Sequence, residues 1–141
     1  AAMAKSAREK LREKKSPKTV ELDYNFGGLK AGQKMLVGTP QIIADFIQKI
    51  PYGTTRTVPA MRMALARRRR CDGTCPVSTA IFVRIAAEVA LDDLADGKPV
   101  SEVIPFWRII SGDDQIAKKL AIDPAWIDEQ RALEAGSAAS A

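Results

Sequence analysis

Residues 57–95 decide the fold of this chain, and they read TVPAMRMALARRRRCDGTCPVSTAIFVRIAAEVALDDLA. The stretch contains two helical patterns joined by a short connection. The first begins after Thr57, which suits an N-cap, and ends in four consecutive arginines, whose charge is favourable at the carboxyl end of a helix. The connection contains Gly73, which is able to take a positive φ. Pro76 suits the first turn of the second helix, with Thr74 or Cys75 as its cap.

The second helical pattern carries an apolar repeat. Apolar side chains recur every four residues at Val77, Ile81, Ile85 and Val89, and predict one buried stripe. Two helices, a tight turn that contains Gly, and guanidinium groups at the corner match the layout of a helix-turn-helix. The sequence therefore predicts an α/β domain, mostly helical, with a winged helix-turn-helix-like centre.

The amino-acid composition limits the classes of function that the chain can have. The 141 residues are 46% hydrophobic and 28% charged, which is typical of a single globular domain. The net charge of +5 is concentrated, which indicates a polyanionic partner. Histidine is absent, which removes the commonest general base and metal ligand, so neither metal nor cofactor is expected. Two cysteines are too few for a secreted disulfide scaffold. No apolar run is long enough to span a bilayer, so we expect no membrane contact. We also expect a cytoplasmic, nucleoid-associated monomer.

The chain divides into three predicted regions. Residues 1–17 form a basic arm that we expect to be flexible or a frayed helix, residues 18–136 form the domain, and residues 137–141 form a flexible tail. Within the domain, residues 19–24 and 35–37 have strand character. Thr-Pro and Asp-Pro pairs predict helix starts at residues 39–40 and 123–124.

Two segments together resemble the DNA-binding, active-site domain of the O6-alkylguanine-DNA alkyltransferases and of the alkyltransferase-like proteins. Residues 50–57, IPYGTTRT, resemble the I-P-x-G-x-x-x-T-Y start of that family's helix-turn-helix. Residues 104–109, IPFWRI, resemble its I-P-C-H-R-V active-site run. The closing helix, with Leu133, Glu134 and Gly136, is similar to the family's L-L-x-x-E-G end. The resemblance covers residues 39–136.

The departures from the family motifs set the expected chemistry. Phe106 stands where the family has its alkyl-accepting cysteine, and Trp107 stands where it has a histidine. Val58 replaces a tyrosine whose hydroxyl meets the DNA phosphate. Alkyltransferase-like proteins also lack the cysteine. The resemblance therefore implies non-covalent DNA recognition without alkyl transfer by the family's cysteine, and it leaves recognition of modified or damaged bases open.

The candidate binding residues fall into two groups. Arginines and hydroxyl residues of the two central helices are candidates for contacts with double-stranded DNA, although a solvated charged face or plain helix capping would explain the same residues. They are Arg56, Thr57, Arg62, Arg67, Arg68, Arg69, Arg70, Thr74, Ser78, Thr79 and Arg84. Phe106, Trp107 and Arg108 form the second group, as the wall of a pocket for an extruded base or as core filling.

Two rival hypotheses remain open at this point. Cys75, predicted at a helix N-terminus near arginines, is a possible reactive thiol, so a thiol-dependent enzyme or a redox or alkylation sensor is one alternative. A generic nucleic-acid-binding regulator that lacks the base pocket is the other. The sequence does not distinguish DNA from RNA.

Overall fold

A computed structural model of the protein describes residues 6–140, which fold as an α/β, mostly helical chain. The helices are α1 (Ala7–Arg12), α2 (Pro40–Gln48), α3 (Val58–Arg68), α4 (Pro76–Ala95) and α5 (Pro124–Ser140). The strands are β1 (Lys18–Glu21), β2 (Lys34–Val37) and β3 (Gly73–Thr74). Three 3-10 turns lie between α4 and α5, at Val100–Glu102, Phe106–Arg108 and Ala117–Lys119.

The three strands form one small sheet in the order β1-β2-β3. β1 and β2 are antiparallel, with Lys18 opposite Val37, and β2 and β3 are parallel, with Leu36 opposite Thr74. The connection between α3 and α4 is therefore the third strand of this sheet. Within residues 6–140 no strand follows α4, so the β1–β2 hairpin precedes the helix pair in the chain.

Local capping explains where the helices begin. The side chains of Thr39 and Thr57 accept hydrogen bonds from backbone N–H groups of α2 and α3, and a proline lies in the first turn of each helix. Asp123 accepts a hydrogen bond from the N–H of Ala125 at the start of α5 (3.0 Å). These three helix starts confirm the predictions made from Thr-Pro and Asp-Pro pairs and from Thr57.

The end of α3 differs from the prediction. The positive φ is at Arg70 (56°), whereas Gly73 lies in β3. The N–H of Arg70 donates to Arg67 O (3.3 Å) and the N–H of Cys71 donates to Ala66 O (2.9 Å), which is the Schellman pattern. The prediction for Gly73 was wrong because this turn is set by the helix end, three residues earlier.

The buried face of α4 also differs from the predicted stripe. Val77 and Ile81 are 58% and 53% exposed, although Ile85 and Val89 are buried as predicted. The buried face continues instead through Thr79 and Val83 and then through small alanines. Small side chains let α4 pack closely on α2 and α1, so the face with the larger residues at its start is left to solvent.

α1 belongs to the packed structure, whereas the sequence predicted a flexible arm. Ala7 is buried and Leu11 packs against the core. Arg8 forms an ion pair with Asp93 of α4. The apolar face missed in the sequence is therefore the pair Ala7 and Leu11, one helical turn apart.

The predicted ends of the domain are described only in part. Residues 1–5, which include Lys5 of the predicted arm, lie outside the described residues, as does Ala141. α5 continues to Ser140, through most of the predicted tail. The boundaries of arm, domain and tail stay predictions.

The main core gathers apolar residues of α2 and α4 around the 3-10 turn that contains Phe106 and Trp107. A second, smaller cluster consists of Leu22, Met35 and Cys75, with Phe26 and Leu29 packed against it. Within residues 6–140, no helix has both the length and the apolar character needed to cross a membrane.

Candidate nucleic-acid interface

Positive charge is concentrated in one segment of the chain. Between Asp45 and Asp72 there is no acidic residue, and the segment contains seven cations. The rest of the chain has 15 cations against 17 acidic residues, so the segment alone accounts for the net positive charge. The seven are Lys49, Arg56, Arg62, Arg67, Arg68, Arg69 and Arg70.

Six of these cations are exposed, and we call them the arginine surface: Lys49, Arg56, Arg67, Arg68, Arg69 and Arg70. None of the six forms an ion pair with a described residue. Their charge is therefore balanced only by solvent ions, which an anionic partner would release on binding.

Phe46 of α2 organises part of the arginine surface. The guanidinium carbons of Arg56 and Arg68 lie 5.4 Å and 5.5 Å from the centroid of its ring. The ring is only 6% exposed, so it holds the two guanidinium groups by cation–π attraction without offering itself to a ligand. Sequence reasoning missed Phe46 because its arginine neighbours are ten and 22 residues away in the chain.

A groove of about 300 Å³ continues the surface between α2 and α3. Its apolar floor includes Phe46 and Leu65, and its rim includes Lys49, Arg68 and Arg69. Sequence reasoning also missed Lys49, for which the available signal was its position one helical turn after Phe46. Three elements thus contribute cations to one area: the end of α2, the loop before α3, and the end of α3.

The predicted hydroxyl contacts are mostly used by the fold. Thr74 is 4% exposed and donates to Arg62 O (2.7 Å), and Thr79 is 1% exposed and donates to Cys75 O (2.6 Å). Thr57 is exposed and caps α3. Burial contradicts the prediction that Thr74 and Thr79 contact DNA, because neither hydroxyl reaches solvent.

Two polar atoms of the helix pair have no hydrogen-bond partner among the described residues. They are Nε of Arg62 and Oγ of Ser78, and both atoms are buried. Buried polar atoms of this kind usually have a partner, and leaving one unsatisfied costs about 1–3 kcal/mol. A buried water molecule would satisfy the donor of Arg62.

Arg84 does not join the arginine surface. It forms an ion pair with Glu88 (Nε–Oε1, 2.7 Å) on the exposed side of α4. A groove of about 430 Å³ runs along this side, lined among others by Val77, Ile81 and Lys119. The structure therefore separates Arg84 from the other predicted arginines.

Phe106 and Trp107 lie in the core, with 0% and 1% of their surface exposed. Their rings meet edge to face at 5.5 Å, and the ring of Trp126 stacks on Phe106 at 6.0 Å. An extruded base has no access to the face of either ring. The burial of both rings favours core filling over an open base pocket, although Trp107 also contributes to the lining of a surface groove of about 580 Å³.

The segments that carry the family resemblance meet at the carboxylate of Glu134. This carboxylate accepts hydrogen bonds from Nε1 of Trp107 (2.7 Å), Nε of Arg108 (2.8 Å) and the N–H of Gly53 (3.4 Å). Arg108 also donates to Ile50 O (2.9 Å). Burial opposes ionisation of Glu134, but the hydrogen bonds from Arg108, Trp107 and Gly53 outweigh it and lower its pKa. Arg108, predicted to line a base pocket, thus joins residues 50–53 to α5.

A groove of about 580 Å³ lies beside this cluster. Tyr52, Val100 and Leu133 line it and are 57%, 37% and 62% exposed. The guanidinium carbon of Arg108 lies 5.5 Å from the centroid of the Tyr52 ring, so the ring is held over a fixed cation. This volume falls within the usual range for small-molecule pockets.

Both cysteines are free thiols. Cys75 is 8% exposed and packs with Leu22 and Met35, and it makes no side-chain cap for α4. Cys71 is partly exposed, with its sulfur 3.6 Å from Oγ1 of Thr19. Among the described residues, no group of three or more His, Cys, Asp or Glu side chains is arranged to hold a metal ion.

No protein-family model matches the chain, and no curated protein or solved structure matches it. A functional proposal therefore rests on the geometry of the site and on the sequence motifs.

Proposed function

We propose that this protein binds duplex DNA non-covalently through the arginine surface, as a DNA-binding protein that resembles the alkyltransferase-like proteins. One observation carries the proposal: six exposed cations lie without ion pairs to described residues, and four of them, Lys49, Arg56, Arg68 and Arg69, lie around Phe46 and the groove between α2 and α3. In this proposal α3 and α4 act as a helix-turn-helix and the β1–β2 hairpin acts as its wing. The protein works as a monomer associated with the nucleoid.

The binding is expected to depend weakly on sequence. α4 presents Val77 and Ile81 to solvent in its first two turns, and the hydroxyls of Thr74 and Thr79 are turned inward. Aliphatic side chains have no hydrogen bonds to offer to base edges, whereas arginines contact the phosphates of any sequence. Affinity therefore comes mainly from the backbone and from counterion release.

A salt series tests the proposal. Fluorescence anisotropy of a labelled duplex should show log K falling linearly with log salt, by about 0.9 units of slope for each phosphate contact. Replacing Arg67, Arg68, Arg69 and Arg70 by Gln should flatten the slope by several units. A matched control replaces four cations outside the surface by Gln, namely Lys10, Lys98, Lys118 and Lys119.

The control removes the same net charge, so an equal loss of slope in both variants would show that only overall charge matters and would contradict the proposed site. The same series with duplex RNA and single-stranded DNA ranks the polyanions. Tighter binding to duplex RNA than to duplex DNA would identify RNA as the preferred ligand.

Recognition of a modified base is a second candidate function, favoured by the groove beside Glu134. Its exposed ring, Tyr52, is available for stacking, which contributes about 1–3 kcal/mol per base. The measurement compares duplexes with and without O6-methylguanine. Tyr52→Ala should weaken binding to the modified duplex alone, and equal affinity of the native protein for both duplexes would eliminate this candidate.

A further inference from the structure

The loop that joins β1 to β2, residues 22–33, is fixed against the connection between α3 and α4. Asp72 and Lys34 exchange two hydrogen bonds, from the N–H of each, at 2.8 Å. A Cβ on Gly73 would be 3.0 Å from Leu29, and a Cβ on Gly27 would be 2.9 Å from Pro76. A side chain at Gly27 would meet the Pro76 ring and one at Gly73 would have to push the Leu29 side chain aside, so the loop lies directly on the start of α4.

The loop is also ordered internally. Phe26 and Leu29 exchange two backbone hydrogen bonds of 2.9 Å, and the side chain of Asn25 accepts a hydrogen bond from the N–H of Ala31 (3.0 Å). Phe26 and Leu29 pack against the cluster that contains Cys75, the residue before α4. The side chains that the loop presents are therefore carried on a preorganised backbone.

The loop presents an aromatic ring, unpaired cations and one exposed acidic residue, Asp23. Tyr24 is 66% exposed, the highest value among the exposed large hydrophobic residues described. Lys30 and Lys34 are exposed and form no ion pair with a described residue. Residues 24–34 contain no acidic side chain. The backbone of Lys34 is hydrogen-bonded to Asp72, two residues after Arg70, so the start of β2 lies next to the end of the arginine run, with the carboxylate of Asp72 between them.

We propose that Tyr24, Lys30 and Lys34 form a second contact surface for the backbone of the same duplex that the arginine surface binds. The inference rests on the proposed function and names the residues by which its wing would contact the DNA backbone. Lysines contact phosphates as point charges, and a tyrosine hydroxyl donates to phosphate or sugar oxygens. Because the loop is already ordered, binding has little loop entropy to overcome.

The test uses the full chain, a labelled duplex and the salt series described above. Replacing Lys30 and Lys34 by Ala should flatten the slope of log K against log salt by about 1.8 units, from two lost phosphate contacts. The matched control is Lys118→Ala with Lys119→Ala, which removes the same charge from the 3-10 turn that packs on α5. This control should keep the native slope.

Tyr24 is tested separately with Phe and Ala. Tyr24→Phe should weaken binding several-fold if the hydroxyl bonds the backbone, and Tyr24→Ala at least as much, with little change in slope because no charge is lost. Thermal melts should be unchanged for the Tyr24 variants, since its ring is mostly exposed.

The outcomes separate the inference from the function on which it rests. One outcome is that the native protein binds in a salt-dependent way that needs Arg67–Arg70, while the loop variants behave like their controls. This result overturns the second surface and leaves the proposed function. A native protein that does not bind duplex DNA overturns both. Loop variants that match their controls on DNA would also be the result if the loop served a protein partner instead.

Discussion

Arg70 occupies a left-handed backbone conformation, with φ of 56°, at the position after the α3 cap where helices most often place glycine. A residue with a Cβ is strained there by about 1–2 kcal/mol. Arg70 is the last residue of the unpaired cationic run Arg67–Arg70, and glycine would fit its backbone conformation better, so an arginine there is consistent with a demand for its charge.

Arg70→Gly should therefore raise stability and weaken DNA binding together. We expect a gain of about 0.5–1 kcal/mol in the free energy of unfolding, because glycine relieves the left-handed strain. The control is Arg67→Gly, the same chemical change inside α3, which should cost about 0.5–1 kcal/mol. Denaturant unfolding and anisotropy check both quantities, and a loss of stability in Arg70→Gly would contradict the helix end described here.

Glu134 links stability to pH. Its pKa is lowered in the folded protein, so its contribution to stability is present above the unfolded value of about 4.3 and is lost as pH falls through the folded pKa. At pH 7, Glu134→Gln should cost about 1–3 kcal/mol, since Arg108 loses its ionised partner.

The cost of Glu134→Gln should be constant above the unfolded value of about 4.3 and should shrink as pH falls below it, because the carboxylate of the native protein becomes protonated as pH passes through its lowered pKa. Denaturant midpoints measured across these pH values give the result. Glu129→Gln, an exposed position on the same helix, controls for charge removal from α5. A cost that stays constant with pH would mean that the lost interaction is not ionic.

At the scale of secondary structure, helix starts could be predicted and packing faces could not. Thr39 and Thr57 act within three residues of themselves, so their capping is visible in the sequence. The buried side of α4 depends on which of two plausible faces meets α2, and its alanines gave a weaker signal than Val77 and Ile81. The positive φ was expected at Gly73 for a related reason. The close neighbour of Gly73 in the fold, Leu29, is 44 residues away along the chain and could not be inferred from the sequence.

The turn before the last 3-10 helix is joined to α5 by a similarly close approach. The N–H of Gly112 donates to Oδ1 of Asp128 (2.8 Å), and a Cβ at this position would lie 2.5 Å from Pro124 O. Gly112→Ala should therefore destabilise the fold by about 1–3 kcal/mol, since backbone atoms cannot yield as a side chain can.

Gly38→Ala is the matched control for Gly112→Ala. An added Cβ at Gly38 meets no atom within 4 Å, so the same methyl group should change stability by less than about 0.5 kcal/mol. Thermal melts of the two variants check the difference. Equal melting temperatures would show that the turn and α5 are not held together at Gly112.

Across the whole molecule, charge could be predicted from the sequence better than geometry. The run Arg67–Arg70 and Arg56 were evident in the sequence, and the structure adds Lys49 and the contacts of Arg56 and Arg68 with Phe46. The prediction of an aromatic pocket wall could not be decided from the sequence, because an apolar run with two aromatic residues fits both a pocket and a core. The packing of Trp126 on Phe106 distinguishes the two in the structure. The meeting of residues 50–53, Arg108 and Glu134 joins segments more than 80 residues apart, for which short motifs give no distances.

The positions of the two thiols lead to a prediction about the chain as a whole. Cys75 is buried among Leu22 and Met35, and Phe106, which the motif resemblance aligns with an alkyl-accepting cysteine, is buried as well. The chain contains no histidine to activate a thiol. Incubation with O6-methylguanine DNA should therefore add no methyl group to the intact mass. Iodoacetamide, which should modify the partly exposed Cys71 before Cys75, shows that the measurement detects a modified thiol. A stoichiometric methyl gain on either cysteine would establish covalent transfer and replace the binding-only proposal.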